Sequence, residues 1–511
     1  MIREPLMLPT GLFVQRNFMF CSALIVLSLV LHNAAGTGFA ENKKASAERP
    51  AAKHNILLII ADDLSANALG CYGNTTCQTP HIDALAKRGL LFERAYCQFP
   101  VCGPSRAAMM SGLYCHSIGV LGNGLSSRFT ANMGKRPTMS QFFKNRGWYS
   151  ARVSKIYHMR VPGDITAGVD GPDHLESWND RYNCEGPEWM SIGQHEHLTK
   201  EKLKRDPDKH YNLGFGGAFY TVRTKSPEGA HQPDKLAADK AIKILREKKD
   251  EPFFLAVGLV RPHVPLVAPG AYFEKYKVDK LKVPNVAKDD WDDIPKSGIS
   301  KNSSKIGLDS IKKKQKVLQA YYASVSYMDA QVGRILAELK KLELEKNTIV
   351  LFKSDHGYHL GEHDFWQKMS LHEESVRIPL IVSVPENSSA GKTRGNRSRA
   401  LVEAVDLYPT LAELNRLDSP AHCQGKSLSK ILVDPKAQVR EAAFSTTRKG
   451  NLLRTDRYAF IRYQDKSEEL YDMKLDSDQL QNLAKSKEHE SVLEMMREKM
   501  IEHLKNQNPK K

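Results

Sequence analysis

The residues with the greatest chemical capacity in this 511-residue chain stand together in Cys102-Gly103-Pro104-Ser105-Arg106. A proline just inside the start of an apolar run, with Gly112 past its end, predicts a short helix whose N-terminus lies near Cys102. The free amides and positive dipole end of such a helix attract an anion. Arg106 follows Cys102 by about one turn, which places guanidinium and sulfur on the same side. A nucleophile and an anion clamp then share one spot. A cysteine taken alone is more often buried or disulfide-bonded, so the rest of the chain has to supply matching chemistry.

Carboxylates at predicted strand ends supply it. Asn55-Ile-Leu-Leu-Ile-Ile-Ala61 is a continuous apolar run, the pattern of a strand covered on both faces in a parallel sheet, and it leads into Asp62-Asp63. Neighbouring side chains of a strand point to opposite faces, so these two carboxylates reach one ion only where the strand ends. The run Thr348-Ile-Val-Leu-Phe352 leads in the same way into Lys353-Ser354-Asp355-His356-Gly357. Asp62, Asp63 and Asp355 make an oxygen-rich set that suits Ca²⁺, and less well Mg²⁺. His356 adds an imidazole, a less typical Ca²⁺ ligand than oxygen. Ligands of open α/β sheets gather beyond the carboxyl ends of the strands. Lys155 and His158 follow the predicted strand at 148–153, and His263 follows that at 253–260 between Pro262 and Pro265. Taken singly, each of these three reads as a solvated or structural polar residue.

The elements that must position these groups read as an α/β fold with a large, mainly parallel sheet. Helices are predicted over 137–147, 234–249 and 311–342. From about Ala442 the pattern changes to short strands at 443–445, 458–463 and 469–471 with a final helix over 491–506, a small antiparallel subdomain. The expected organisation is a catalytic domain over 54–440 and a C-terminal subdomain over 441–511. Residues 161–233 are rich in glycine, proline and charge and read as a long loop shaping a cleft. Within it Gln194-His195-Glu196-His197 reads as exposed loop, because no further ligands follow at a metal-site spacing.

Residues 1–40 read as a secretory signal peptide, with Arg3 and Arg16 ahead of a short apolar run and small residues after it; 41–53 is a polar linker. The expectation is an exported protein, periplasmic or secreted, with no stable membrane insertion once the signal is cleaved. Cys71, Cys77, Cys97, Cys115, Cys184 and Cys423 form an even set compatible with disulfides. Seventy-five Lys and Arg against 59 Asp and Glu give a formal charge of +16. Such a surface steers polyanions, and in an exported protein these are sulfated polysaccharides or acidic membranes. No nucleic-acid-binding motif is present. Asn74-Thr-Thr and Asn302-Ser-Ser are glycosylation sequons.

Cys-x-Pro-Ser-Arg followed by an apolar segment and Ser111-Gly112 resembles the signature of type I sulfatases. The chain is similar to that family over nearly everything after residue 40. Ser154-Lys155-Ile-Tyr-His158 resembles the family's Gly-Lys-x-x-His segment, with serine where glycine is usual. Asp355-His356, Leu360-Gly-Glu-His363, Trp366-Gln-Lys368 and 376–381 are similar to the iduronate-2-sulfatase-like branch. Leu401–Leu411 resembles the helix closing the main domain, and 470–483 the usual C-terminal ending.

The resemblance implies an alkaline-phosphatase-like sandwich and hydrolysis of sulfate monoesters of a sulfated saccharide, such as a 2-O-sulfated uronate. It implies that a formylglycine-generating enzyme converts Cys102 to an aldehyde whose hydrate attacks sulfur. One Ca²⁺ would be held by Asp62, Asp63, position 102, Asp355 and His356. Asp355 would take the attacking proton and Arg106 would hold the nucleophile in register. Lys155, His263 and Lys368 would bind sulfate, with His263 or Lys368 protonating the leaving oxygen. His158 would deprotonate the remaining hydroxyl and expel sulfate. Two rivals are a formylglycine-dependent phosphodiesterase or phosphonate monoester hydrolase, and a polysaccharide-binding protein without turnover.

Overall fold

The computed structural model describes residues 53–201 and 218–507; the segment 1–40, expected as a signal peptide, and all of the expected 41–53 linker except Lys53 lie outside the described residues. The central sheet has eight strands: β1 (Asn55–Ala61), β2 (Leu90–Tyr96), β3 (Tyr149–Ser154), β4 (Asp180–Tyr182), β5 (Phe253–Leu259), β6 (Thr348–Ser354), β7 (Arg377–Ser383) and β8 (Arg397–Glu403). Their order is β8-β2-β7-β6-β1-β5-β3-β4. Only β7 runs against its neighbours; all other pairings are parallel.

The central strand β1 shows why the run is apolar throughout. Leu57, Ile59 and Ala61 enter one core while Ile56, Leu58 and Ile60 enter the other. Each buried aliphatic side chain contributes about 1.5–3 kcal/mol. The first core is covered by α1 (Pro80–Arg88), α3 (Pro233–Glu247) and α4 (Ile311–Lys341), through residues such as Ile82, Ala241 and Val332. The second is covered by α2 (Cys102–Ser111) and α5 (Leu407–Leu414), through Met109, Met110 and Leu411. The result is a helix–sheet–helix sandwich.

A separate four-stranded antiparallel sheet follows: β9 (Ala442–Thr446), β10 (Gly450–Thr455), β11 (Tyr458–Tyr463) and β12 (Glu468–Asp472), in sequence order. Leu493, Met496 and Met500 of α6 (Glu490–Gln507) cover one face with Phe444 and Phe460. The other face packs Leu452, Ile461 and Tyr471 against Tyr96, Leu371 and Val376. That contact puts the small sheet directly behind the segment carrying Lys368.

Several expectations need correction. Residues 401–403 belong to strand β8, and the helix starts only at Leu407, because Leu401 and Val402 pair with Arg94 and Ala95 of β2. The 161–233 segment is not all loop. It holds β4 and the strands Gly193–His197 and Tyr220–Thr224, the latter two joined to Leu266–Pro269 in a three-stranded sheet. Gln194 to His197 is thus an edge strand whose partner lies too far along the chain to be seen as a hairpin signal. All seven described cysteines are free thiols. Burial pushes Cys77, Cys97, Cys184 and Cys423 up to about 12, which keeps these thiols protonated and inert.

Candidate active site

Four adjacent parallel strands deliver the site. β6, β1, β5 and β3 end side by side, with Ala61 opposite both Ser354 and Leu259, and Ser154 opposite Gly258. Beyond their carboxyl ends stand Asp355 and His356, Asp62 and Asp63, His263, and Lys155. β1 stops at Ala61, and Asp63 turns into the left-handed region at φ 62°. This break in the strand lets both aspartates face one point. Tyr321 of α4 fixes it, its hydroxyl donating to the Asp63 carbonyl at 2.6 Å and accepting from the Ser65 amide at 2.9 Å.

α2 begins at Cys102 and ends at Gly112, which is left-handed at φ 69°. The Gly103 amide donates to Asn123 Oδ1 at 2.8 Å. Cys102 Sγ lies 3.3 Å from Asp62 Oδ1, 4.0 Å from Asp63 Oδ1 and 3.4 Å from His356 Nε2. One turn later, Arg106 Nε donates to Asp355 Oδ2 at 2.9 Å, and its Nη1 donates to the carbonyls of Lys155 and Ile156. Ser105 Oγ donates to the Asp355 carbonyl. The helix therefore locks the ends of β3 and β6 to each other.

The cations complete the cluster. Lys155 Nζ binds Asp62 Oδ2, and Lys368 Nζ binds Asp63 Oδ1 while lying 3.4 Å from Cys102 Sγ. His263 Nε2 lies 3.8 Å from Asp63 Oδ2, and its Nδ1 is 2.5 Å from the Val264 carbonyl. His356 Nε2 is 3.2 Å from Asp63 Oδ1, with Nδ1 turned to the Gly357 carbonyl at 2.9 Å. His158 stands slightly apart, lining a small cavity with Gly103, Ala107 and Ser126 beside the first turn of α2. Its Nδ1 is buried without a hydrogen-bond partner.

The charges set the protonation states. Burial pushes Asp62 and Asp63 up, but the cations win: Lys155 and His263 hold Asp62, and His263 and Lys368 hold Asp63, well below the usual carboxylate range. Burial and Asp62 push the Cys102 thiol up; Lys155 and Lys368 more than offset them and bring it down to about 7. Burial, then Lys155, keeps His158 well below the ordinary imidazole value, so it is a neutral proton acceptor at pH 7.

The donor set fits a hard divalent cation. Single ligand atoms of Asp62, Cys102, Asp355 and His356, and of Asp62, Asp63, Cys102 and His263, lie within 4.8 Å of one another. Asp63 Oδ2 is buried with no hydrogen-bond partner, an oxygen left with coordinating capacity. The two sets share Asp62 and Cys102 and between them bring three carboxylates, which match the oxygen-rich chemistry of Ca²⁺ and Mg²⁺.

All ten residues singled out from the sequence lie in this region, eight gathered around Cys102 and His158 at its margin. Reading the residues in order did not single out Tyr321, Asn123 or the buried Lys353, whose Nζ meets Met109 Sδ at 3.4 Å. Lysine within an apolar strand was the only signal available for the last. Ser154, the departure from the family's glycine, adopts φ 58°, the conformation that glycine would take without strain.

The sulfatase family model matches residues 54–415, and the model for the N-sulphoglucosamine sulphohydrolase C-terminal region matches 361–507. Iduronate 2-sulfatase of Homo sapiens is 33% identical over 407 residues, covering 72% of this chain and 70% of that one. A sulfatase of Formosa agariphila is 30% identical over 474 residues, covering 89% of this chain and 88% of that one. In structure, the phosphonate monoester hydrolase of Agrobacterium radiobacter superposes with a TM-score of 0.72 at 19% identity, covering 89% of this chain and 96% of that one. The sandwich is thus the alkaline-phosphatase-like fold, and the match over residues 54–415 shows that this chain belongs to the sulfatase family.

Proposed function

We propose that this protein hydrolyses sulfate monoesters of a sulfated saccharide, with position 102 as the nucleophile after oxidation of its cysteine to formylglycine. One observation carries the reading: Cys102, three carboxylates, His356, Arg106, Lys155, His263 and Lys368 converge at the ends of four neighbouring strands. The similarity to iduronate 2-sulfatase supports a uronate-containing substrate, and the formal charge of +16 suits a polyanion. In this reading the chain is exported and is matured by a formylglycine-generating enzyme.

A sulfate monoester needs positive charge on its sulfuryl oxygens and a proton for the leaving alkoxide. Ca²⁺ held by Asp62, Asp63, position 102, Asp355 and His356 would supply Lewis acidity, and a hydrated aldehyde at 102 would supply an oxygen nucleophile. Asp355 would accept the nucleophile's proton, a role supported by the hold of Arg106 Nε on its Oδ2. Lys155 and Lys368 bring two ammonium groups to the sulfate position, and His263 Nε2 or Lys368 Nζ delivers the proton to the leaving oxygen. Neutral His158 accepts the proton that restores the aldehyde. A serine or unmodified cysteine has no such second hydroxyl to deprotonate.

The test compares kcat/KM for saccharide sulfate esters with that for phosphodiesters and phosphonate monoesters, using protein matured in a host with the formylglycine-generating enzyme. Faster turnover of the sulfate ester supports the reading. Faster cleavage of a phosphorus ester would replace it with the hydrolase whose fold this chain shares. Binding without turnover of any ester by protein carrying the aldehyde and metal would leave a polysaccharide-binding role.

A further inference from the structure

A cavity of about 530 Å³ opens beside Lys368. Phe99 and Val101, just ahead of Cys102, line it together with Asn123, which accepts from the Gly103 amide. Its walls also carry Lys301, Lys305, Arg448 and Lys449, and no described lining residue is a carboxylate. Five cations with Lys368, drawn from three separate stretches of chain, thus line one concave space, and Lys368 joins it to the site, its Nζ lying 3.4 Å from Cys102 Sγ. The volume lies in the range of sites for drug-sized ligands.

Three of these cations donate to neutral oxygens, while Lys368 is bound to the Asp63 carboxylate. Arg448 Nε donates to the Leu121 carbonyl at 2.9 Å, Lys449 Nζ to the Ser297 carbonyl at 3.4 Å, and Lys301 Nζ to Gln367 Oε1 at 2.9 Å. Gly122 makes room for the guanidinium: a Cβ there would lie 3.0 Å from Arg448 Nη2. Arg448 is therefore positioned with donors to spare, and a planar fork of this kind suits carboxylate or sulfate oxygens. Lys301 is half-buried beside Lys368; burial and that neighbour push it down to about 8, with Glu201 and Asp63 opposing. An incoming anion would relieve the repulsion between these two ammonium groups.

We infer that this cavity reads a second anionic substituent, a carboxylate or a further sulfate, on the saccharide whose sulfate ester meets Cys102, with Lys301, Arg448 and Lys449 as the recognising residues. This rests on the sulfatase reading for the first anion, while the cavity's own selectivity is measurable by binding alone. A saccharide unit with one sulfate and no other charge would occupy the cluster around Cys102 and bring no anion to Arg448 and Lys449. The specificity of the enzyme then lies partly in the C-terminal sheet, since Arg448 and Lys449 sit in the β9–β10 turn.

The test uses three probes: a 2-O-sulfated methyl hexopyranoside, the matching 2-O-sulfated methyl hexuronide, and the 2,6-di-O-sulfated methyl hexopyranoside. Dissociation constants are measured by calorimetry on the Cys102→Ala protein and kcat/KM on the matured protein, at fixed salt. Each charge-assisted hydrogen bond gained should tighten binding by roughly tenfold or more. At least one dianionic probe is expected to bind tenfold or more tightly than the monoanionic one, and the two arms tell carboxylate from sulfate. Arg448→Gln with Lys449→Gln should collapse that ratio, as should Lys301→Gln, while Lys430→Gln, a surface charge elsewhere, should leave it intact. Equal binding of all three probes, or a ratio that survives the double substitution in a folded protein, would overturn the proposal. A preserved binding ratio with no sulfate released from any probe would instead overturn the sulfatase reading and leave the cavity assignment standing.

Discussion

Ser154 offers a substitution that should strengthen the protein beside its own active site. The residue ends β3, turns at φ 58°, and directs Lys155 to Asp62. A left-handed conformation costs a residue with a Cβ about 1–2 kcal/mol. Ser154 Oγ is also buried without a partner, and freeing the fold of such a hydroxyl returns about 1 kcal/mol. Against these gains, glycine's larger unfolded-state freedom costs about 0.5–1 kcal/mol, and the lost packing of one carbon takes back a further part. Ser154→Gly is therefore expected to stabilise the chain by about 1 kcal/mol, a rise in Tm of about 1–2 °C for a protein of this size. Ser154→Ala keeps the strained φ and gains only from the hydroxyl. Urea titration and thermal melting of the three proteins in parallel provide the measurement. A glycine variant less stable than wild type, or less stable than the alanine variant, would refute the claim that this turn is strained.

Three further outcomes follow from the geometry. Arg106→Lys keeps the charge but loses the fork that joins Asp355 to the Lys155 and Ile156 carbonyls; unfolding should become easier by about 3 kcal/mol, and sulfate release should fall sharply. Chelation with EDTA should lower Tm, and Ca²⁺ at a hundred times its Kd should restore about 2.7 kcal/mol; a Tm indifferent to both would contradict the cation site. Glu469 accepts from His372 Nε2 at 2.9 Å, Tyr463 at 2.6 Å and Tyr471 at 2.7 Å, which ties the small sheet to the Lys368 segment. Burial lowers His372 but Glu469 outweighs it and raises the imidazole above its ordinary value, so the pair's stabilisation is full below about pH 6.5 and is lost as pH rises through that raised value. Glu469→Gln should remove this slope from a plot of Tm against pH between 5 and 9.

The parts of the fold that could be read from the chain were those whose determinants are local. Continuous apolar runs marked β1, β5 and β6, and each run stopped at the group it delivers. The proline and glycine bracketing α2 located Cys102 at its first residue. What escaped detection depended on distant partners. β2 carries Glu93 and Arg94 in its middle, so periodicity hid a strand that packs between β8 and β7. The edge strand at Gly193–His197 has a polar sequence and is defined only by pairing with Tyr220–Thr224. The His372–Glu469 link, across 97 residues, and the cationic cavity join segments far apart along the chain, and neither His372 nor Arg448 has a neighbour in sequence that foretells its contact.

The central claim is that position 102 works as an aldehyde beside a divalent cation. Mass spectrometry of the tryptic peptide 95–106 from a preparation that releases sulfate tests it most directly. The account predicts that the thiol has been replaced by an aldehyde oxygen in the active fraction, with activity rising in proportion to that conversion. Full activity from protein in which Cys102 remains a thiol would contradict it.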